Sequence, residues 1–354
     1  MSSQTTYNHS MNQDLINDLN PITTVSALRK TIGKPAKALE KRVQSSLDQF
    51  SLEFIEHATT AILATNTAQL PMQFINCRQR SVRCLDQHRL CLSHHFNKLD
   101  IELISANSSL YFIVAGVGHA LRVNGKLVIS KSNQCEFHIN EIYFHCARAA
   151  ARAKLWDRSS IAFNSSNNDK GVPDLASTTE LFLRHSPFTL IKTQNNRAMT
   201  EISPRGDGLG FIHPLDSNTL LIPERPGNKI AVSLRNIIDQ PKIELLSVIP
   251  GLGKVLNILG DAKIITSSTL LENCSVNGKS PKMGILVEIK SQCIRTDLAL
   301  TDSGIWQTKS LVDPKSITPF PKALAAHMNG TGLLGMATTG LVKAIVSHDM
   351  KNLY

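Results

Sequence analysis

The chain contains an internal repeat, and this repeat restricts its possible folds more than any other feature. Residues 108–130 (SSLYFIVAGVGHALRVNGKLVIS) match residues 242–267 (KIELLSVIPGLGKVLNILGDAKIITS) in pattern, so that Gly116, Gly118 and Gly125 fall on Gly251, Gly253 and Gly260. Two further matches keep the same order: Phe54-Ile55-Glu56-His57 with Phe182-Leu183-Arg184-His185, and Glu141-Ile142, Cys146 and Trp156 with Glu288-Ile289, Cys293 and Trp306. Matches in a constant order indicate the duplication of one folding unit.

The length of the chain agrees with two such units. Its 354 residues suffice for two domains of about 150 residues each. The sequence between the repeats is dense in Ser, Asn, Asp and Gly, which is typical of a linker. We therefore predict a disordered N-terminus (1–20), a first repeat (21–158), a linker (159–178), a second repeat (179–330) and a C-terminal tail (331–354).

Each repeat has a helical segment before it, about six short strand-like runs and one short helix between the middle strands. In the first repeat the clearest runs are 61–64, 73–75, 90–92, 110–114 and 121–129. Short strands separated by Gly and Pro turns favour a small closed or nearly closed antiparallel barrel. The predicted fold class is mainly β with α, and two barrels in one chain would form a covalent version of a homodimer.

Charge and composition exclude several functional classes. The net charge of +10 favours an anionic partner, but only 5% of residues are aromatic and no dense basic stripe is present, so nucleic acid is not expected. The seven cysteines form no CxxC pair, which argues against a zinc site and a disulfide framework. We find no secretory signal and no apolar run of about 18 residues, so we expect a cytoplasmic protein that does not cross a membrane.

A basic loop that opens a helix is the first candidate binding element. The segment Pro223-Glu224-Arg225-Pro226-Gly227-Asn228-Lys229 leads into the predicted helix 231–239. Free backbone N–H groups and the helix dipole make such a junction suitable for a phosphate group. Arg225, Lys229, Ser233 and Asn236 are the candidate side chains. A solvated turn of generic sequence is the alternative.

Two further segments carry candidate residues. Ser203-Pro204-Arg205-Gly206-Asp207 forms a tight turn at a strand end, where backbone groups can face a ligand, although an ordinary hairpin loop explains it equally. Arg148 and Arg152 lie one helical turn apart in HCARAAARAKLW and can form a cationic face, or simply a solvated one. Neither segment identifies a ligand by itself.

Together these motifs resemble one family. SPRGDGLGF, LLIPERPGNK, SLRNI and VIPGLG occur in this order, and LRVNG and HCARA…LW occur in the first repeat. The set is similar to the pyridoxamine 5′-phosphate oxidase-like FMN-binding split-barrel proteins, in particular to a subfamily with an SPRGD…RPGN…SLRNI signature. The resemblance covers about residues 20–158 and 179–330. It implies a six-stranded antiparallel Greek-key barrel in each repeat.

The resemblance also implies the cofactor and its ligands. In family homodimers FMN lies at the interface, in sites built from both protomers. The phosphate would be held by Arg225, Asn228, Lys229, Ser233 and Asn236. Ser203, Arg205 and Gly206 would lie near the isoalloxazine ring, and Arg148 and Arg152 would come from the neighbouring barrel. No metal ligand and no catalytic side chain is implied.

The two repeats depart from the family pattern in complementary ways. Where the second repeat has its phosphate loop, the first reads CLSHHFNKLDIELISAN, and Asn76-Cys77-Arg78-Gln79-Arg80 stands where SPRGD is expected. The second repeat has lost the HCARA segment and reads Ser291-Gln292-Cys293-Ile294-Arg295-Thr296 there. We therefore predict one FMN per chain, with the second pseudo-site empty or filled by side chains.

The predicted function is that of an FMN-dependent oxidoreductase acting on a small molecule, with NAD(P)H as a possible electron donor. A non-enzymatic protein that stores or senses flavin, or binds haem, is the alternative, and a cofactor-free paralogue is the third interpretation. For the apolar run 332–346 in the tail, core packing is favoured over an oligomer contact.

Overall fold

A computed structural model describes residues 18–67, 70–78, 81–93, 106–129, 135–167, 174–330 and 332–354. The fold is mainly β with helices, as the sequence predicts. Two antiparallel sheets each curl around their own hydrophobic core, which gives a β-barrel fold. The predicted phosphate-loop counterpart of the first repeat, at 91–107, lies largely outside the described residues.

The first half contains these elements: β1 Pro21–Ile22, α1 Val25–Ile32, a 3-10 helix Lys37–Arg42, α2 Gln49–His57, β2 Thr60–Thr65, β3 Gln73–Asn76, β4 Val82–Asp86, β5 Arg89–Leu92, β6 Ala106–Ile113, β7 Ala120–Ile129, β8 Cys135–His145, α3 Arg148–Arg152 and α4 Arg158–Asn167.

The second half and the C-terminal region contain these elements: α5 Thr179–His185, β9 Phe188–Gln194, β10 Thr200–Gly206, β11 His213–Pro214, β12 Thr219–Pro223, α6 Val232–Asp239, β13 Lys242–Val248, β14 Lys254–Ile265, α7 Ser268–Glu272, β15 Gly284–Thr296, α8 Leu298–Ser303, 3-10 turns Thr308–Ser310 and Pro314–Ser316, α9 Phe320–Asn329 and α10 Leu333–Lys351.

The two sheets have the same strand order. It is β3-β2-β6-β7-β8-β5-β4 in the first and β10-β9-β13-β14-β15-β12-β11 in the second, where β1 adds an eighth strand beside β14. Among the described residues each sheet therefore has seven matching strands, one more than the sequence predicts. The extra strand is the short outer strand of a hairpin, β4 or β11, and β11 is too short to produce a periodic pattern.

The central hairpins of the two sheets share their irregularities. Each has a register shift before a glycine, between Asn124 and Gly125 in β7 and between Leu259 and Gly260 in β14. A Cβ at either glycine would meet the carbonyl oxygen of the facing strand. A bulge with a closely approaching backbone explains why glycine occurs at both positions.

The strand register corrects part of the repeat alignment. Leu121 faces Phe144 and Leu256 faces Ile294, so β8 matches β15 with Phe144 on Ile294. The predicted match of Cys146 with Cys293 is therefore wrong by three residues, whereas that of Trp156 with Trp306 is right. The two cysteines are a chance identity, because register follows the hydrophobic pattern of a strand and its turns and not single matching residues.

The same correction applies to the SPRGD counterpart. Thr60 faces Asn76, and its counterpart Phe188 faces Gly206. The backbone N–H of Cys77 donates to Thr59 O at 3.0 Å, as that of Asp207 donates to Pro187 O at 3.1 Å. Residues 73–77, and not 76–80, therefore occupy the place of Ser203–Asp207. The first-half counterpart of Arg205 is the buried Ile75.

The ends of the chain cross over between the halves. β1 pairs with β14, and Leu28 of α1 belongs to the core of the second sheet. Conversely, Ile317, which precedes α9, and Ala323 of α9 belong to the core of the first sheet. A third cluster, which includes Ile62, Tyr111, Leu190 and Leu246, lies between the sheets. Trp156 and Trp306 meet in this region with ring centroids 5.6 Å apart.

Part of the predicted linker is helical. Asp157 accepts a hydrogen bond from Ser160 N at 2.8 Å, which stabilises the start of α4. Asn164 then donates to Pro250 O at 2.7 Å, so the helix is fixed to the turn after β13. The Asp-x-x-Ser sequence was the available signal for this helix, and the high Ser and Asn content obscured it.

Candidate functional site

A cationic cavity of about 150 Å³ lies at the boundary between the two halves. Of the described residues, six arginines and two carboxylates line it: Arg42, Arg122, Arg148, Arg152, Arg205 and Arg225 with Asp207 and Glu224. Three of the arginines lie on β7 and α3 of the first half, and two lie at or just after strand ends of the second. The excess of positive charge indicates an anionic ligand.

The last residues of β10 position Arg205. They belong to the strand itself and not to the predicted tight turn. Arg205 Nε lies 2.9 Å from Glu224 Oε2, and its Nη2 donates to Ser233 Oγ at 2.7 Å. Ser203, at 7% exposure, lines the same cavity, and its Oγ accepts from Arg122 Nη1 at 3.3 Å.

Gly206 brings the two halves together at the cavity. A Cβ at this position would overlap the backbone of Ala149 in α3. Glycine is therefore required at the end of β10, because α3 of the first half approaches the strand so closely there.

Arg225 is held by an internal ion pair. Its Nε lies 2.5 Å from Asp207 Oδ2, and the side chains of both residues are nearly buried. The pair fixes the 223–229 loop to the turn after β10, which places the guanidinium of Arg225 on the cavity wall. Because the buried charge is compensated, the remaining guanidinium donors stay available to a ligand.

The helix α6 begins at the cavity without a cap. Ala231, the residue before the helix, has φ 55° and makes no side-chain capping bond. Lys229 has φ 61°, so two non-glycine residues adopt the left-handed conformation within three positions. Ala231, Val232 and Ser233 line the cavity, so the positive end of the helix dipole lies beside it. The predicted junction of basic loop and helix therefore lies at the wall of this cavity.

The first half contributes Arg148 and Arg152 from α3. Arg148 Nη2 donates to Asn352 O at 2.9 Å, and Arg152 donates to Leu353 O from Nε at 2.8 Å and to Pro226 O from Nη2 at 2.7 Å. Burial lowers the pKa of Arg152, and the neighbouring charge of Arg148 adds to this effect. The two guanidiniums thus lie side by side, as the i, i+4 spacing predicts.

Sequence reasoning missed a stack of three side chains at the same cavity. The guanidinium carbons of Arg42 and Arg122 lie 4.6 Å and 4.3 Å from the centroid of the Tyr143 ring. Burial and the charge of Arg122 lower the pKa of Arg42 to about 10. The Tyr143 hydroxyl is buried and has no hydrogen-bond partner among the described residues.

Only part of this stack had a sequence signal. Arg122 belongs to the LRVNG motif, and Tyr143 precedes HCARA, so both lay within or beside quoted motifs. Arg42 had none, because it reaches the cavity from the 3-10 helix Lys37–Arg42, far away in sequence.

His145 adds a neutral ring to the cavity wall. Burial, together with the charges of Arg122, Arg42 and Arg205, holds its pKa well below the usual value. Its Nε2 is buried and has no hydrogen-bond partner within the described part of the chain. The imidazole is therefore uncharged at neutral pH and offers one hydrogen-bonding atom.

Two predicted phosphate ligands lie elsewhere. Lys229 is exposed and lines a neighbouring cavity of about 490 Å³, together with Lys279, Lys282 and Tyr354. Asn236 is buried and donates to Thr193 Oγ1 at 3.0 Å, which fixes α6 to β9. The other predicted residues, namely Ser203, Arg205, Gly206, Arg225, Asn228, Ser233, Arg148 and Arg152, all line the cationic cavity.

The end of the C-terminal region contacts arginines that line this cavity, which the sequence did not reveal. After α10, Asn352 and Leu353 present their carbonyl oxygens to Arg148 and Arg152. Tyr354 Oη donates to Asp207 Oδ1 at 2.5 Å. Of the apolar run in α10, Val342 is buried, but Leu341 and Ile345 are exposed.

Two negative findings apply to the described part of the chain. It contains no group of three or more His, Cys, Asp or Glu side chains placed to hold a metal ion. None of its helices is both long enough and apolar enough to span a membrane.

No family model and no curated protein matches the sequence. Solved structures similar to it include HupZ from Group A Streptococcus, with 16% identity, 33% of this chain and 90% of that chain covered, and a TM-score of 0.29. A putative pyridoxamine 5′-phosphate oxidase from Lactobacillus delbrueckii has 14% identity, covers 33% and 92%, and has a TM-score of 0.27. An FMN-binding protein from Syntrophomonas wolfei has 10% identity, covers 40% and 90%, and has a TM-score of 0.25.

Proposed function

We propose that this chain is a flavoprotein that binds one FMN between two duplicated barrels. One observation supports this most directly: Arg148 and Arg152 of the first half line the same cavity as Arg205 and Arg225 of the second. The motifs that resemble the FMN-binding split-barrel family are divided between the halves, and folding brings them to one place. A site made of both halves agrees with one cofactor per chain.

The donor set suits the phosphate of FMN. Guanidinium groups match phosphate oxygens with two parallel hydrogen bonds, and an uncapped helix start adds backbone donors. Arg225, Arg148, Arg152 and the α6 start would hold the phosphate, with Asn228 beside them. The cavity has a volume of about 150 Å³, and Asn352 and Leu353 accept hydrogen bonds from two of its arginines, Arg148 and Arg152.

The other side chains would orient the ring and exclude water. Arg122 donates to Ile202 O at 2.6 Å and fixes the strand that carries Ser203 and Arg205. Tyr143 and neutral His145 offer hydrogen-bonding atoms without adding charge. A bound flavin would itself supply hydride or electron transfer, so the protein needs no nucleophile. We propose an oxidoreductase that acts on a small molecule, with a nicotinamide as the candidate donor.

The direct test is an absorbance spectrum and an FMN titration of the purified protein. We expect a stoichiometry near one per chain. Arg225→Ala should weaken FMN binding by more than about tenfold, because a charge-assisted contact contributes roughly 1.5–3 kcal/mol. Arg184→Ala is the matched control, since Arg184 is exposed and pairs with Glu180 on its own helix, α5.

Three results would change the proposal. Unaltered affinity in Arg225→Ala, with folding verified by circular dichroism, would place the phosphate elsewhere. A stoichiometry near two would contradict the single site. Flavin that is bound but is reduced neither by NAD(P)H nor by other biological reductants would favour a storage or sensing protein over an enzyme.

A further inference from the structure

Residues 352–354 lie where a phosphate group is expected. This segment contacts all three arginines assigned to the phosphate, although each of them is far away in sequence. We propose that the segment occupies the phosphate subsite in the free protein and that a phosphate-bearing ligand must displace it. This inference rests on the proposed function and assigns its regulation.

The first argument is competition for the same donors. Asn352 O accepts from Arg148 Nη2 at 2.9 Å, and Leu353 O accepts from Arg152 Nε at 2.8 Å and also from Arg152 Nη2. A carbonyl oxygen and a phosphate oxygen accept the same N–H groups. Arg152 therefore cannot donate these hydrogen bonds to a phosphate until the segment moves.

The second argument concerns Tyr354. Its hydroxyl donates to Asp207, the partner of Arg225, and its ring centroid lies 5.7 Å from Arg152 Cζ and 5.6 Å from Arg225 Cζ. Burial and the bond to Asp207 raise the pKa of Tyr354 to about 12, so the hydroxyl remains a donor at neutral pH. Tyr354 therefore covers two of the arginines that a phosphate would need.

The third argument is space. The cationic cavity measures about 150 Å³, whereas pockets for cofactor-sized ligands usually measure about 300–1,000 Å³. The neighbouring cavity of about 490 Å³ lies across the 224–228 loop and has Tyr354 in its wall. Withdrawal of the segment would remove Tyr354 from the wall of that neighbouring cavity and would uncover Arg148 and Arg152.

The contacts also predict which ligands can displace the segment. Hydrogen bonds between ionised partners are about twice as strong as neutral ones, so a phosphate dianion can replace two neutral carbonyls. Riboflavin lacks the phosphate and therefore cannot replace these carbonyls. Because riboflavin carries no phosphate that needs this subsite, the segment should oppose the binding of phosphorylated flavins and other phosphates and have little effect on riboflavin.

The test compares the full chain with a chain shortened to end at Lys351. FMN, riboflavin and inorganic phosphate are titrated separately by isothermal calorimetry. If the segment is docked in about 90–99% of molecules, its removal should tighten FMN about tenfold to a hundredfold, because apparent affinity scales with the open fraction. The affinity for inorganic phosphate should increase by a similar factor, and the affinity for riboflavin should change little.

Two substitutions refine the comparison. Tyr354→Phe keeps the ring but removes the hydrogen bond to Asp207. It should therefore increase the affinity for FMN by less than removal of residues 352–354 does. Leu341→Ala is the matched control on the preceding helix, because Leu341 is 65% exposed. It should leave every affinity unchanged.

The outcomes separate the two proposals. FMN affinity that is unchanged or weaker in the shortened chain would overturn the displacement, because the segment would then be neutral or a supporting wall, while the FMN site would stand. If neither chain binds FMN but the shortened chain binds phosphate more tightly, displacement stands and the FMN proposal fails. If neither ligand binds either chain, both fail.

Discussion

The two halves of this protein share a fold but not a site. Their sheets have the same strand order, yet the corrected register places Leu298 and Asp302 where the first half has Arg148 and Arg152, and Ile75 where the second half has Arg205. In the described part of the chain, the cationic cavity combines arginines that one half has and the other lacks. At the corresponding place in the repeat, Leu298, Asp302 and the buried Ile75 stand where the cavity has arginines.

The features that the halves share belong to the fold. Both have a glycine at the bulge of the central hairpin, and in both a histidine ring bonds to a backbone carbonyl one turn earlier in the helix before the first strand, His57 to Glu53 at 2.8 Å and His185 to Leu181 at 2.9 Å. The bulge geometry requires the glycine in each half separately, and each histidine bonds within its own helix. A composite site requires each cation only once, so duplicated site residues can differ freely.

The largest expected effect tests the shared bulge. Gly125→Ala and Gly260→Ala should each reduce the free energy of unfolding by about 3 kcal/mol, because the added methyl overlaps a backbone carbonyl that cannot move alone. Gly227→Ala is the control, since no atom of the described residues lies within 4 Å of its Cβ position. Urea denaturation measures all three. A marked difference between the two bulge variants would show that the halves are not equivalent there.

The next effect tests the functional difference. Arg152→Asp gives the first half the acid that the second half has at Asp302, and should weaken FMN binding about a hundredfold, or about 2.7 kcal/mol. Asp302→Arg should not alter FMN binding, because its neighbours cannot complete a second site. Fluorescence titration measures both. A second equivalent of FMN bound by Asp302→Arg would show that the second pseudo-site still functions.

The smallest effect concerns pH and again separates the halves. His119 is buried, and burial lowers its pKa to about 4, whereas its counterpart Lys254 pairs with Asp174 at 2.8 Å. The unfolded chain takes up the proton first, so stability falls as pH falls from about 6.5 towards 4. Between about pH 6.5 and 5 the loss should be about 1–2 kcal/mol.

Hydrogen exchange at these two pH values should locate this loss in the first half. His119→Phe should reduce it, because the histidine lies among Phe54, Phe144 and Phe320 and an apolar ring suits that position. Equal acid sensitivity in both halves, unchanged by the substitution, would assign the effect to other groups.

The sequence by itself determined the fold class, and it predicted the repeat and the residues of the candidate site. Strand periodicity, paired glycines and motif order depend on local geometry, which residue types reveal directly. Eight of the ten predicted site residues line one cavity, which follows from their positions at strand ends and helix starts. The exceptions, Lys229 and Asn236, lie on the right loop and helix but point elsewhere, because side-chain direction depends on the neighbours that pack there.

Only the tertiary structure decided the register, the stack of Arg42, Tyr143 and Arg122, and the contact of residues 352–354 with the cavity. Register follows the buried face of each strand and the turns that join the strands, so single matching residues misplaced Cys146 and Arg78 by three positions. The stack and the contact join residues about 100 to 200 positions apart. No local pattern encodes such contacts, because they arise only when segments distant in sequence pack together.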